Sequence, residues 1–311
     1  MPTAFITGAT GFIGQHLLNV MKDKGHTLTI LSSSTVPEFW SGYRPAKMVQ
    51  GVLGSIQDWK SNLTGHDAVI HLASELRTED NMEDVNNIGA ADLAKAALEA
   101  DIKIFIHLSS VGVVGSPFSG TNLIVTEESV CSPKNKYEET KWKGEKSVEE
   151  ILNSKCRLVI IRPTNVYGDH SQRNILLGLI QKIKAGNSIP YSRTAYFNYV
   201  YAGDVALAIY KALTGRASGV YNIGTPVLAG TFLREIARTL NVELRSRQLP
   251  QWMFRIVALV TGREFKGKIS SLCNRVRYSD EKWKRVTGFD HGDQSEGIKN
   301  TIEWYRNKKA I

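Results

Sequence analysis

Over its first 160 residues the chain alternates between short apolar runs and amphipathic stretches, and few folds accommodate that rhythm. Strands are predicted at residues 4–7, 27–31, 47–51, 68–72, 103–109 and 157–161, with helices between them at 12–24, 55–63, 83–100 and 136–154. Strands that are apolar along their whole length must be covered on both faces. Intervening helices supply both the cover and the crossover that parallel pairing needs. The pattern therefore predicts an α/β fold built on a doubly wound parallel sheet.

The first crossover carries the sharpest local signal. Thr7-Gly8-Ala9-Thr10-Gly11-Phe12-Ile13-Gly14 places three glycines, spaced Gly-x-x-Gly-x-x-Gly, between the first strand and the first helix. Side chains there would keep a phosphate from the backbone, and glycine also reaches positive φ. The following helix directs its unpaired N–H groups and positive dipole end at any anion in the turn. A glycine triplet alone also suits a structural turn; its place between strand and long helix favours a dinucleotide site.

Past residue 161 the rhythm changes to a loop at 162–169, helices at 175–183, 204–213, 231–240 and 294–307, strands at 195–202 and 220–223, and an apolar segment at 252–260. This predicts a dinucleotide-binding domain over 1–165, with 195–225 returning strands to it, and a smaller, mainly substrate-binding domain over 166–311. The segment 252–260 is read as a lid over a pocket in preference to a dimer face or a membrane-touching helix.

Composition narrows the function. The chain has 311 residues, 42% hydrophobic and 22% charged, with no apolar run approaching the ~18 residues of a membrane span. No basic, apolar leader precedes the first strand, so a cytoplasmic enzyme is expected. Cys131, Cys156 and Cys273 form neither a metal pattern nor a disulfide framework. The net charge of +9 suits nucleic acid, a membrane surface or anionic small molecules. Its densest groups, at 234–247 and 263–285, lack interleaved aromatics, which argues against nucleic acid. Solvated surface charge and a positive field around a pocket for phosphorylated ligands both remain.

Tyr137 and Lys141 stand one turn apart on the helix that Asn135 caps, with Glu138 completing the cap signature. A neighbouring cation stabilises a phenolate and makes tyrosine a usable acid or base. Ser109-Ser110 ends an apolar strand, where an open α/β sheet gathers its active-site groups. Ser74, Glu75 and Arg77 follow another strand end and face either the pocket or solvent. His71 and His107, inside apolar strands, read as core histidines before ligands.

The glycine turn, Ser110 and Tyr137…Lys141 together resemble the extended short-chain dehydrogenase/reductase family, the NAD-dependent epimerase/dehydratase group. Val69-Ile70-His71-Leu72-Ala73, Asn86-Asn87-Ile88-Gly89, Arg162-Pro163-Thr164-Asn165-Val166-Tyr167-Gly168, Val200 to Asp204 and Glu303-Trp304-Tyr305 extend the resemblance over almost the whole chain. It implies a Rossmann domain in which Gly8, Gly11 and Gly14 form the pyrophosphate turn with Thr10, Phe12 and Ile13. Ser32, Ser33, Leu53, Leu72, Ala73, Ser74 and Pro163 would line the rest of the cofactor. Tyr137 would be the catalytic acid/base, Lys141 would hold the nicotinamide ribose, and Ser110 would bond the reacting oxygen. Ser110 is chosen over Ser109 because it lies five residues before Gly115, although the tyrosine of that family pattern is Val114 here. Ser74, Ser110, Asn165 and Arg193 would meet the substrate, a small molecule and plausibly a nucleotide sugar. The protein would be a homodimer through helices near Glu83 and Lys136.

Departures from the family pattern shape the expectations. Ser32 stands where NAD enzymes carry an acid for the ribose 2′-hydroxyl, which tilts the cofactor toward NADP, with Arg44 and Lys47 as loose candidates for a 2′-phosphate. Gly51-Val52-Leu53 replaces Gly-Asp-Leu at the adenine. Phe197 replaces the phosphate-clamping arginine seven residues before Asp204, with Arg193 as the nearest substitute. Val111-Gly112 replaces the Asp-Glu pair of sugar dehydratases, making dehydration the least expected reaction. The competing readings are an NADPH-dependent carbonyl or hydroxysteroid-type reductase, and a silent dinucleotide-sensing or RNA-binding module, which would need no Ser110, Tyr137 and Lys141.

Overall fold

Seven of the apolar runs lie side by side in one parallel sheet of the computed structural model, which describes residues 1–33, 47–115, 122–171, 175–254, 272–290 and 294–311. They are β1 (Ala4–Thr7), β2 (Leu28–Ser32), β3 (Lys47–Gln50), β4 (Ala68–His71), β5 (Ile104–Leu108), β7 (Arg157–Pro163) and β12 (Gly219–Ile223). Their order is β12-β7-β5-β4-β1-β2-β3, so the chain winds outward in opposite directions from β1 and β4. That reversal opens a crevice beyond the strands' C-terminal ends, where a doubly wound sheet holds its ligand.

Helices cover both faces. On one, α1 (Phe12–Met21) and α7 (Ala202–Thr214) bury Leu17, Met21, Val205 and Ile209 against Ile6, Ile70 and Ile161. On the other, α4 (Gly89–Glu99) and α5 (Lys136–Leu152) bury Leu93, Ala97 and Val148 against Phe5, Val69 and Phe105, beside the short α2 (Ile56–Trp59). Successive strand residues thus feed opposite cores, which is why these strands are apolar along their length.

Outside the main sheet, the strands among the described residues form four two-stranded pairs. These are β6 (Ile124–Val125) with β15 (Arg277–Tyr278), β8 (Asn165–Tyr167) with β11 (Tyr199–Tyr201), β9 (Ile189–Ser192) with β14 (Ser246–Leu249), and β10 (Tyr196–Phe197) with β13 (Val227–Leu228). The β8–β11, β9–β14 and β10–β13 pairs adjoin a third core in which α6 (Leu177–Lys184), α8 (Ala229–Leu240) and the terminal helix Gln294–Asn307 contribute Ile180, Phe232, Ile236 and Ile302, while Val125 of β6 packs in a small separate cluster with Val113, Val114 and Val276.

Several expected elements differ. The strand expected over 195–202 is broken at Asn198, whose Nδ2 donates to the Val276 carbonyl at 3.0 Å and whose Oδ1 accepts from Tyr278 N at 3.2 Å. The two halves pair with different strands, and neither joins the main sheet; only β12 returns to it. The helix expected over 83–100 starts earlier, as α3 (Glu79–Glu83), and reaches α4 through a π-helical turn, Asp84–Ile88. The helix expected over 55–63 is only one α turn flanked by 3₁₀ turns, Leu53–Ser55 and Lys60–Leu63. The first helix stops at Met21, ahead of left-handed Asp23 at φ 60° and Gly25 at φ 70°. Arg44 and residues 255–260 of the segment 252–260 lie outside the described residues. No helix among the described residues is long and apolar enough to cross a membrane.

Candidate active site

The glycine turn sits at the C-terminal end of β1 and closes against the end of β4. Gly8 has φ 72°, and a Cβ there would lie 2.5 Å from the Ala73 nitrogen. A Cβ on Gly14 would collide with the Ala9 carbonyl. Gly11 caps α1 and donates to the Gly8 carbonyl at 3.0 Å, and Gln15 N bonds Gly11 O at 3.0 Å. The earlier N–H groups of the helix therefore have no intrahelical partner, and no acidic side chain occupies the first turn. A backbone cradle shaped by glycine at a helix N-terminus fits a dinucleotide pyrophosphate.

The other cofactor candidates ring the same edge. Ser32 is buried at the end of β2 and Ser33 is exposed beyond it; Leu53 is buried in the turn after β3. Leu72 N bonds the Thr7 carbonyl at 3.0 Å, which brings Leu72, Ala73 and Ser74 beside the turn, and Pro163 ends β7. Lys47 does not belong to this group. Ser32 pairs with Gln50, whereas Lys47 pairs with Thr29, at the other end of β3. Three residues of strand put it about 10 Å from the level of Ser32, and its Nζ donates to Asn62 Oδ1 at 2.5 Å.

The catalytic candidates converge from β5 and α5. Asn135 Oδ1 accepts from Glu138 N at 3.0 Å and fixes the first turn of α5, which carries the half-buried Tyr137. One turn on, Lys141 is 1% exposed and donates to the Leu108 carbonyl at 2.7 Å. Burial lowers its pKa to about 8, with Glu145 acting in the opposite direction. Ser110 follows β5, half-buried, its Oγ accepting from Gly112 N at 3.0 Å. A Cβ on Gly112 would lie 3.2 Å from both Ser110 Oγ and Glu138 Cγ, so the Ser110 turn and the first turn of α5 share one wall. The neighbouring Ser109 keeps its hydroxyl fully buried.

Buried contacts fix α5 along its length. Asn86, presented by the π turn, donates to Thr140 Oγ1 at 3.1 Å and to the Glu75 carbonyl at 2.9 Å, and accepts from Ser74 Oγ at 2.9 Å. Glu145 receives Arg162 through Nε at 2.9 and 3.2 Å and through Nη2 at 2.5 Å, the two side chains almost wholly buried. Helix and π turn meet at Gly144, where a Cβ would strike the Asn86 carbonyl.

The substrate candidates are held more loosely. Asn165 is exposed on β8, its Nδ2 donating to the Asn198 carbonyl at 3.2 Å. Arg193 is exposed on the turn between β9 and β10. Phe197 is 4% exposed and packs edge-on against Phe232 and Tyr199, so it belongs to the third core. Glu75 caps its own loop by accepting from Arg77 N at 2.6 Å and Thr78 N at 3.1 Å. Arg277 was not anticipated: on β15 it lies 5.2 Å from the Tyr196 ring, its Nη2 bonds Asn122 Oδ1 at 3.2 Å, and its Nε is buried without a partner. Only charge density marked that region in the sequence, and charge density does not single out one arginine.

The sequence profile described as "NAD dependent epimerase/dehydratase family" matches residues 4–224. An Escherichia coli O157:H7 protein, N-acetyl-alpha-D-glucosaminyl-diphospho-ditrans,octacis-undecaprenol 4-epimerase, is 25% identical over 96% of this chain and 94% of its own. The UDP-glucose 4-epimerase of Mycolicibacterium smegmatis is 27% identical over 97% and 98%. Among solved structures, the Thermotoga maritima UDP-glucose 4-epimerase with UDP-glucose superposes with a TM-score of 0.76 at 18% identity over 99% of both chains. A Bordetella bronchiseptica enzyme, WbmH, in complex with NAD+ gives 0.76 at 18% over 98% of both.

Proposed function

Because this chain belongs to the NAD-dependent epimerase/dehydratase family, we propose that it is a nucleotide-sugar epimerase that uses Tyr137, Lys141 and Ser110 for proton transfer. The carrying observation is the buried Lys141, fixed on the Leu108 carbonyl one helical turn from Tyr137 and beside the Ser110 wall. The glycine cradle would hold the dinucleotide, which when bound accepts and returns a hydride. Tyr137 takes the proton of a substrate hydroxyl while Ser110 Oγ bonds the reacting oxygen, and the Lys141 charge favours the phenolate. Epimerisation would require the transient ketone to turn over in the pocket and receive the hydride back at carbon on its other face while Tyr137 returns the proton to its oxygen. Asn165 and the cations Arg193 and Arg277 would meet the substrate diphosphate.

NAD is the proposed cofactor. The neighbours WbmH and WbmG were solved with NAD, and the position of Lys47 removes one of the two cations offered for a 2′-phosphate. The sugar's carrier has a second reading, a polyprenyl diphosphate, because the E. coli relative's name specifies one and Trp252 is 60% exposed. The proposal includes a cytoplasmic homodimer through the helices that carry Glu83 and Lys136, checked by sedimentation. The functional test is to identify the dinucleotide retained on purification and to incubate the protein with UDP-sugars and polyprenyl-diphosphate sugars. Retained NAD with interconversion of epimers supports the reading. Freely exchanged NADPH with net ketone reduction would overturn it in favour of a reductase.

A further inference from the structure

Beneath α5 the sheet carries a polar row in an otherwise apolar core. Thr7, His71 and His107 are neighbours in register across β1, β4 and β5. They share the sheet face of Phe5, Val69 and Phe105. Both histidines are fully buried, their ring centroids 5.2 Å apart. Thr7 Oγ1 and His71 Nδ1 share a hydrogen bond of 2.7 Å. His71 Nε2, both His107 nitrogens and Ser109 Oγ are buried without a protein partner. Each such atom costs about 1–3 kcal/mol, which the apolar residues at neighbouring positions avoid. The row borders the site: Lys141 Nζ bonds the carbonyl next to His107, and burial, reinforced by the Lys141 charge, depresses the basicity of both rings.

We propose that His71 and His107 are positioning residues that, with Ser109, hold internal water against Lys141 Nζ and so keep that lysine cationic. This rests on Tyr137 and Lys141 being the proton-transfer pair. An ammonium has three donors, and the Leu108 carbonyl takes one. Internal water needs two to four polar partners, which the orphaned atoms supply. If His71 Nδ1–H donates to Thr7, Nε2 is left as an acceptor, the polarity a cation requires. Burial holds His71 near a pKa of about 3 and His107 well below its usual value, so both act as neutral dipoles. The remaining ionisable groups around Lys141 are Tyr137 and Glu145 on its own helix and Arg162 on β7, the last neutralised by Glu145.

The test is an NMR titration of lysines labelled with ¹³C at Cε, with Lys141 assigned by its loss in Lys141→Met, on the purified full chain with its retained dinucleotide. His107→Leu should lower the Lys141 midpoint by about one pH unit, a tenfold change. His107→Gln, which restores polar atoms, should remain within about 0.3 of wild type. A Leu variant titrating with wild type, or a Gln variant falling as far as Leu, overturns the proposal. Should His107→Leu not fold, His71→Leu and His71→Asn are read by the same criteria. The titration requires no turnover, so its failure is distinct from a failure to find epimerase activity.

Discussion

The two walls of the crevice are built by opposite rules. On the α5 side, Asn86, Glu145, Arg162 and Lys141 are buried and bonded from several elements at once. Asn165, Arg193 and Arg277, the residues proposed to meet the substrate from the other wall, project from two-stranded ribbons or a turn, each held by few contacts. Proton transfer fails when groups shift by about an ångström, so the wall proposed to carry it would need to be held at many points. Recognition of a carrier can be retuned one residue at a time, so its wall need not be. The same fold can thereby keep one chemistry while its substrate changes.

Mutations that separate the two walls test this contrast. The largest effect is expected from Tyr137→Phe: turnover falls about 10³-fold while dinucleotide binding, followed by fluorescence, is nearly unchanged. Activity surviving that change would refute the assignment. Glu145→Ala leaves Arg162 buried and unpaired and should cost about 3–5 kcal/mol in denaturant unfolding. A cost below about 1 kcal/mol would show that the α5 wall is less constrained than its contacts imply.

Acid should weaken the same wall. His71 binds its proton at a pKa of about 3 in the folded protein and near 6.5 when unfolded. Its stabilising contribution is complete above about 6.5 and is lost as pH falls toward 3, at about 1 kcal/mol per pH unit. His71→Phe should flatten that slope in unfolding measured across this range. On the recognition wall, Arg277→Ala should raise KM about tenfold with kcat held, and Arg193→Ala should do less, because only Arg277 has a buried, unpartnered donor. Equal effects on kcat and KM would place Arg277 in the chemistry. The smallest change is expected from Ser32→Asp, a few-fold gain in preference for NAD over NADP in binding assays.

What was legible in the sequence was local. The glycine turn, the Asn135 cap and the Tyr137–Lys141 spacing each lie within about two turns of chain, and the periodicity of side chains reports that range directly. What was not legible depends on distant partners. Asn198 divides a run that reads as one strand only because Val276 and Tyr278 come to meet it. Lys47 looks close to Ser32 until strand pairing places it beside Thr29. Arg277 and the His71–His107 row acquire meaning only from register between strands far apart in sequence.

The π turn Asp84–Ile88 takes up one extra residue of chain to make a contact. It is the place where a helix holds one residue more than its α-helical neighbours. Removing that residue would restore a regular α-helical turn and leave Leu93 and Ala97 on the sheet, while withdrawing Asn86 from Thr140. A one-residue deletion there should therefore leave the sheet packing standing and free α5 from the Glu75 loop. The extra residue serves the grip on α5, and the packing of the helix does not depend on it.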